Sequence, residues 1–402
     1  MSVSRRPRSQ PQDRFLQTFE LLNQAIALPP TRSIGEELHS GLRHVQVAAQ
    51  HNQITPEIVI GFISAINAVL TELPQGYRQR FLFDASMIGA ILSEWNGNQQ
   101  RLSSTIYPRY DAEWWHGRIG MPTRRLNVRD SFLGFIAFPG NDDLSNIDLR
   151  DYAFLCHEMG HNMLYYDDAA FTQNFSAQLE QVITKLALTG VADRGSARLK
   201  AQRDVEELRR KWTPTPDHEN WANEMMMDLI AFWTCGPAYL ASFDYEVDDG
   251  SKNPYVVSQM HPPYALRVEI MLAASKKLGW REYTQGLNNR LKEWQVSKWN
   301  SHYTNKYVAL ADSKIVSACI TCTLAACEAI GLPRCDEQHV ERVKELVKRG
   351  DTPDFGTDVI IAAWVMRQRA DDQSFGQWEQ KTIASLFDRI VNQSATPHIE
   401  AS

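Results

Sequence analysis

One stretch of the chain, IDLRDYAFLCHEMGHNMLYY, constrains the fold most tightly. It sets His157, Glu158 and His161 among Phe154, Leu155, Met159, Met163 and Leu164, residues that belong in a core. The spacing predicts a helix that starts near Ser145 or Asp148. Polar side chains buried without partners are costly, so an apolar helix carrying this triplet must meet something that satisfies it. Residues four apart share a helix face, and two imidazoles so placed can reach one ion. Glu158 lies beside that face, where it can take a proton from water held by such an ion. Gly160 is a second anomaly: glycine inside a helix costs about 1 kcal/mol relative to alanine and marks the close approach of another backbone. The plainer reading of the same residues is a core helix with two satisfied histidines.

A metal held by two histidines needs a third protein ligand and an open position. Downstream, PTPDHENWANEMMMDLIAFWTCGP predicts a helix with Asp217 as N-cap, closed by Gly236 and Pro237. Glu224 and Asp228 stand four apart on it, amid Met225, Met226, Met227, Leu229, Ile230 and Phe232. Two carboxylates on a core-facing helix require a cation. A His157, His161 and Glu224 ligand set supplies one, with Asp228 accepting the remaining ring N–H of a histidine, His157 in the first instance. A solvated acidic stripe is the alternative. A third cluster follows in SQMHPPYALRVEIM, where two prolines suit the start of a helix and Arg267 falls about one turn inside it. Positive charge from His261 or Arg267 could stabilise an oxyanion, or Arg267 could simply be a surface residue of that helix.

HEMGH, NEMMMD and HPPYALR, in that order, resemble the H-E-x-x-H, E-x-x-x-D and H-P-x-x-x-R motifs of the HtpX and CAAX prenyl protease family of gluzincin zinc metallopeptidases. The resemblance covers about residues 148–274. It implies zinc on His157, His161 and Glu224, Glu158 as catalytic acid/base, Asp228 behind the ligands, and His261 and Arg267 near the substrate. It also implies a zincin-like core with extra helices, and hydrolysis of a peptide or protein by metal-activated water. The second motif is also similar to that of thermolysin. Unlike the membrane members of that family, the chain has no transmembrane helix in its sequence, which argues against a prenylated or membrane-protein substrate. Two other functions fit the same residues: a zincin-like regulatory or interaction protein without turnover, and a zinc hydrolase of non-peptide amides.

The rest of the sequence frames this site. The balance of 42 basic against 48 acidic residues, net charge -6, gives no reason to expect nucleic acid as a partner. No apolar run approaches the roughly 20 residues that span a bilayer, and Arg5, Arg6 and Arg8 have no apolar segment behind them. The chain therefore reads as cytoplasmic. Six cysteines in 402 residues do not form a disulfide framework. Cys319, Cys322, Cys327 and Cys335 read as small buried hydrophobes, with a second metal or redox site as the rival reading.

Helical periodicity dominates, at Pro56–Leu73, Tyr77–Trp95, Phe171–Thr189, Ala197–Trp212, Ala265–Leu278, Asp312–Ile330 and Val340–Lys348. The expected class is mainly α with a small sheet, an α+β fold. Phe132–Phe138 is the strand candidate and a possible edge for an extended peptide, with Arg124–Val128 as a pairing partner. Trp114, Trp115 and His116 are candidate cleft residues. Proline and glycine punctuation divides the chain into a disordered tail at 1–13, a helical region at 14–106, a catalytic region at 107–300 and a helical region at 301–402.

Overall fold

The computed structural model describes residues 17–20, 22–23, 32–51, 55, 59–60, 62–64, 66–67, 79–97, 105–111, 115–120, 132–139, 143–166, 177–185, 206–213, 220–247, 253–258, 261–296, 307 and 310–395. It is mainly α-helical. Its main elements are α1 (Arg32–Gln50), α2 (Gln79–Asn96), β1 (Thr105–Asp111), β2 (Trp115–Gly120), β3 (Phe132–Pro139), α3 (Ala153–Tyr166), α4 (Trp221–Cys235), α5 (Pro237–Glu246), α6 (Tyr264–Leu278), α7 (Gln285–Val296), α8 (Ser313–Ala329), α9 (Glu337–Arg349), α10 (Thr357–Arg369) and α11 (Asp372–Ala395). By packing, the chain forms two compact units built from non-consecutive stretches. One comprises residues 1–89, 103–147 and 383–402; the other comprises 90–102 and 148–382.

The first unit holds a three-stranded sheet of order β1-β3-β2. β3 runs parallel to β1, with Tyr107 opposite Phe135, and antiparallel to β2, with His116 opposite Ile136. This corrects the expectation that Phe132–Phe138 offers an edge to a peptide. β3 is the central strand, and both rows of its backbone groups are already paired, so it cannot add a further strand. Trp115 and His116 belong to β2, while Trp114 and Arg124–Val128 lie outside the described residues. The Arg80 guanidinium donates to the Pro139 carbonyl at 2.9 Å and so ties α2 to the end of β3.

The second unit is organised around α4. All fifteen of its residues are buried, as expected of a helix that is apolar all round. α3, α5, α6, α8 and α10 pack against it. Each large apolar side chain it buries contributes about 1.5–3 kcal/mol, and this is what lets the helix also carry Asn223, Glu224 and Asp228 inside. Asn220 caps it by accepting from the Asn223 N–H at 3.1 Å, in place of the expected Asp217, which lies outside the described residues. Gly236 ends it at φ 54°, and Pro237 starts α5 at once. Cys235 and Cys156 sulfurs meet at 3.3 Å between α4 and α3. The cysteines at 319, 322, 327 and 335 are buried free thiols, as their small apolar surroundings predict.

The helix carrying the histidines begins later than its sequence suggests. Asp143 caps a short 3-10 turn at Leu144–Asn146, the Asp148 carboxylate accepts from the Arg150 N–H at 3.0 Å, and the Leu149 N–H donates to Glu379 at 2.8 Å. These bonds, two of them local and one from distant Glu379, hold the backbone in turns until Ala153. Among the longer periodic segments, Phe171–Thr189 and Ala197–Trp212 are helical over 177–185 and 206–212 within their described parts.

Two predictions follow from the packing. A Cβ at Gly160 would lie 2.7 Å from Met227 Sδ, 3.6 Å from Ile230 Cγ2 and 3.7 Å from Met227 Cα. In Gly160→Ala the gain of about 1 kcal/mol in helix propensity offsets displacement of a flexible thioether, so the melting temperature stays near wild type. Gly160→Val brings branched methyls against Ile230 and the Met227 backbone and costs about 1–3 kcal/mol. A valine variant as stable as the alanine one would refute this helix contact.

The second prediction concerns Asp358, which fixes α9 to α10. It accepts from Arg342 at 2.6 and 2.7 Å and lies 2.7 Å from His339 Nε2. Burial would raise its pKa, but His339 and Arg342 pull it down to about 2. A folded-state value below the unfolded one, about 3.9, gives stability that is present above that value and lost as pH falls toward 2. The difference in urea midpoint between wild type and Asp358→Asn should be full at pH 7 and close between pH 4 and 2. A difference independent of pH would show that these ion pairs are not its source.

Candidate metal centre

α3 and α4 bring His157, His161 and Glu224 together as a buried cluster able to coordinate a metal ion. The two Nε2 atoms are 3.3 Å apart. His157 Nε2 lies 3.5 Å from Glu224 Oε2, and His161 Nε2 lies 3.4 Å from Glu224 Oε1. Zinc bonds to nitrogen and oxygen of about 2.0–2.1 Å in tetrahedral geometry place ligand atoms roughly 3.3–3.4 Å apart. The two imidazole nitrogens stand at that separation, and each has a different oxygen of Glu224 close to it. Glu224 occupies the first turn of α4, where the partial positive charge of a helix N-terminus favours a carboxylate. The exposures of His157, Glu158, His161 and Glu224 are 5, 8, 2 and 4 %. Glu158 follows His157 directly in α3 and is buried with it.

Asp228, one turn along from Glu224 and fully buried, gathers four contacts. Arg267 donates to both of its oxygens at 2.8 Å, Tyr239 OH donates at 2.5 Å, and His157 Nδ1 lies 2.9 Å away. A proton on Nδ1 shared with Asp228 leaves the Nε2 lone pair directed toward Glu224 and His161, the tautomer that metal ligation needs. Burial disfavours the Asp228 carboxylate, yet the Arg267 guanidinium and His157 hold its pKa far below the usual range. Burial also works against a charged His157, but hydrogen bonds that it donates to Asp228 and Glu224 push it up to about 10. Glu224 is disfavoured by burial and held low by His157. Burial and the Asp228 charge drive the Tyr239 hydroxyl well up, so it remains a donor.

Arg267 is 7 % exposed. Its guanidinium also lies 3.8 Å from Glu246 and stacks over Phe243 at 4.8 Å. That position gives it Asp228 to hold, and α6 delivers it there because Pro263 caps the helix and accepts the Arg267 N–H at 3.1 Å. His261 is the accessible member of the group. Its side chain is 58 % exposed, with Nε2 3.9 Å from Glu224 Oε1. Its backbone is pinned: the His261 N–H donates to Ser258 Oγ at 2.9 Å, while the Ser258 carbonyl accepts from Trp221 Nε1 at 3.2 Å and from the buried Lys211 ammonium.

The sequence reading missed Tyr239 and the anchors Lys211 and Ser258. Tyr239 had one faint signal, its place three residues after the Gly236 break, where a short helix folding back on α4 turns one face toward Asp228.

If four contacts converge on Asp228, Asp228→Asn leaves the buried Arg267 with only the more distant, partly exposed Glu246 as counter-charge and should cost about 3–5 kcal/mol in urea unfolding. Tyr239→Phe removes one hydrogen bond to a carboxylate, about 1.5–3 kcal/mol. Arg267→Lys should not restore wild-type stability, because an ammonium lacks the planar fork. Wild-type stability in Asp228→Asn would disprove the arrangement.

Comparison with known proteins adds no relative: no family model matches the chain, and no curated protein or solved structure is significantly similar to it.

Proposed function

We propose that the chain is a zinc-dependent metallopeptidase in which His157, His161 and Glu224 hold the metal and Glu158 is the general base. The observation that carries this reading is the convergence of one ligand atom each from His157, His161 and Glu224 to within 4.8 Å of one another, all three residues buried. Glu224 and Asp228 set two buried carboxylates against the guanidinium of Arg267, and a cation on the histidines would offset the remaining negative charge. The donor set of two imidazoles and a carboxylate suits zinc, and three protein ligands leave a position open, as catalytic rather than structural zinc sites do. When bound, zinc supplies Lewis acidity and water acidic enough to lose a proton near neutral pH.

The chain's own residues then divide the work. Glu158, next to a ligand and in a largely dry setting, takes the proton from water and returns it to the leaving amine. Asp228 keeps His157 in the ligating tautomer, and Arg267 and Tyr239 keep Asp228 charged and fixed. Arg267 therefore acts as a positioning residue. His261, exposed and held beside Glu224, is the group able to donate to the oxyanion that forms at the carbonyl under attack. Relationship to the gluzincins and a zincin-like core are part of this proposal and rest on the order and spacing of the three motifs. Among the described residues no helix is long and apolar enough to cross a membrane, in keeping with a peptide substrate met in water.

Metal analysis and peptide-cleavage assays on four proteins test the proposal. Wild type and Glu158→Gln should each carry stoichiometric zinc, with cleavage by Glu158→Gln reduced by about 10²-fold or more. His161→Ala and Glu224→Ala should lose both zinc and cleavage. Equal metal content in all four proteins would refute the ligand set. Zinc retention with no cleavage of any peptide, but turnover of small amides, would replace the peptidase with an amidase.

A further inference from the structure

A second pocket of the same unit, about 280 Å³, lies between α5, α7, α10 and the turn before α3. Its buried lining is apolar, with Ala238 2 %, Ile360 1 % and Trp364 6 % exposed. Its charged lining has two kinds of group. The first is the half-buried Asp151 carboxyl, which burial and the neighbouring Asp148 charge push up to about 6. Among the described residues it accepts no hydrogen bond, since Arg150 is committed to Asp148 through several contacts. The second is guanidinium. Arg290 is paired with Asp244, the other carboxylate of the lining, at 2.9 Å, whereas Arg367 is 40 % exposed and, among the described residues, paired only with Asp372, itself 87 % exposed. Such a surface pair contributes little and is readily exchanged for another carboxylate.

A carboxylate lacking a donor favours a cation, and an exchangeable guanidinium favours an anion. An apolar floor favours hydrocarbon. Simple anions would meet Asp151, and simple amines would meet three arginines, so neither satisfies the whole lining. The volume lies just under the usual range for small-molecule sites, about 300–1,000 Å³, too small for a folded partner or a long peptide.

We propose that this pocket binds a free α-amino acid with an apolar side chain, its ammonium on Asp151, its carboxylate on Arg367 and its side chain over Ile360 and Trp364. The binding is independent of the metal chemistry at the other site. Calorimetric titration of the full chain tests it with L-leucine, leucinamide, which lacks the carboxylate, and 4-methylpentanoate, which lacks the ammonium. Leucine should bind at least tenfold more tightly than either analogue. Asp151→Asn and Arg367→Gln should each weaken leucine binding by tenfold or more, while the metal-site variant His161→Ala should leave it unchanged. Circular dichroism and the melting temperature report folding of each variant, and the exposed Arg367 site serves where Asp151→Asn fails to fold. Equal affinity for leucine and its amide, unaltered binding in both pocket variants, no heat with any of the three compounds, or loss of binding in His161→Ala would each overturn the assignment.

Discussion

An excess of buried negative charge between α3 and α4 is the constraint on which the rest of the second unit depends. Burying an isolated carboxylate costs several kcal/mol even after relaxation, and Glu158, Glu224 and Asp228 are all under 10 % exposed. Among the described residues, the buried Arg267 guanidinium is the counter-charge held by Asp228. Without a cation, the available relief is protonation of His157, and its raised pKa is the signature of that frustration. A divalent ion removes the need for the proton. The buried charge adds to what the motif says: the motif lets two imidazoles meet, and the carboxylates beside them favour a cation there.

Three helices must be held in register for those groups to converge, and the energetics of α4 explain how. Its apolar side chains are abundant enough to outweigh the polar residues it carries, and Gly160 lets α3 approach until its Cα faces Met227. α6 adds Arg267 from a third direction. Because Arg267 binds Asp228 through two hydrogen bonds and Asp228 lies against His157 Nδ1, the position of α6 is transmitted to the His157 ring through charge-assisted contacts that tolerate little displacement. This is why an arginine that looks, by its place after His261, suited to meet substrate is instead buried behind the ligands.

What the sequence made legible follows the same physics. The i, i+4 placement of His157 and His161, and of Glu224 and Asp228, is a local geometric fact, and in each case an apolar background made the polar pair conspicuous. Gly160 was conspicuous for the same reason. Less legible were features fixed by distant partners. Tyr239 reaches Asp228 only because a break at Gly236 folds α5 back, and the late start of α3 depends on Glu379, far along the chain. The central position of β3 was hidden because its aromatic and apolar run reads the same in an edge strand as in a middle one, and only pairing on both sides distinguishes them.

α5 shows how few residues can serve two sites. Tyr239, Phe243 and Glu246 recur at helical spacing on one side, where they touch Asp228 and Arg267. Ala238, Ala241, Ser242 and Tyr245 recur on the other, where they line the amino acid pocket. The division of labour is a division of size. Large aromatic side chains pack between α5 and the Asp228–Arg267 pair, whereas two alanines and a serine face the cavity between α5 and α10. Ser242 spends its hydroxyl on the Arg150 carbonyl, which holds the turn bearing Asp151 against the helix. The pocket therefore exists because small residues face it, and its carboxylate is presented because one of those small residues is polar.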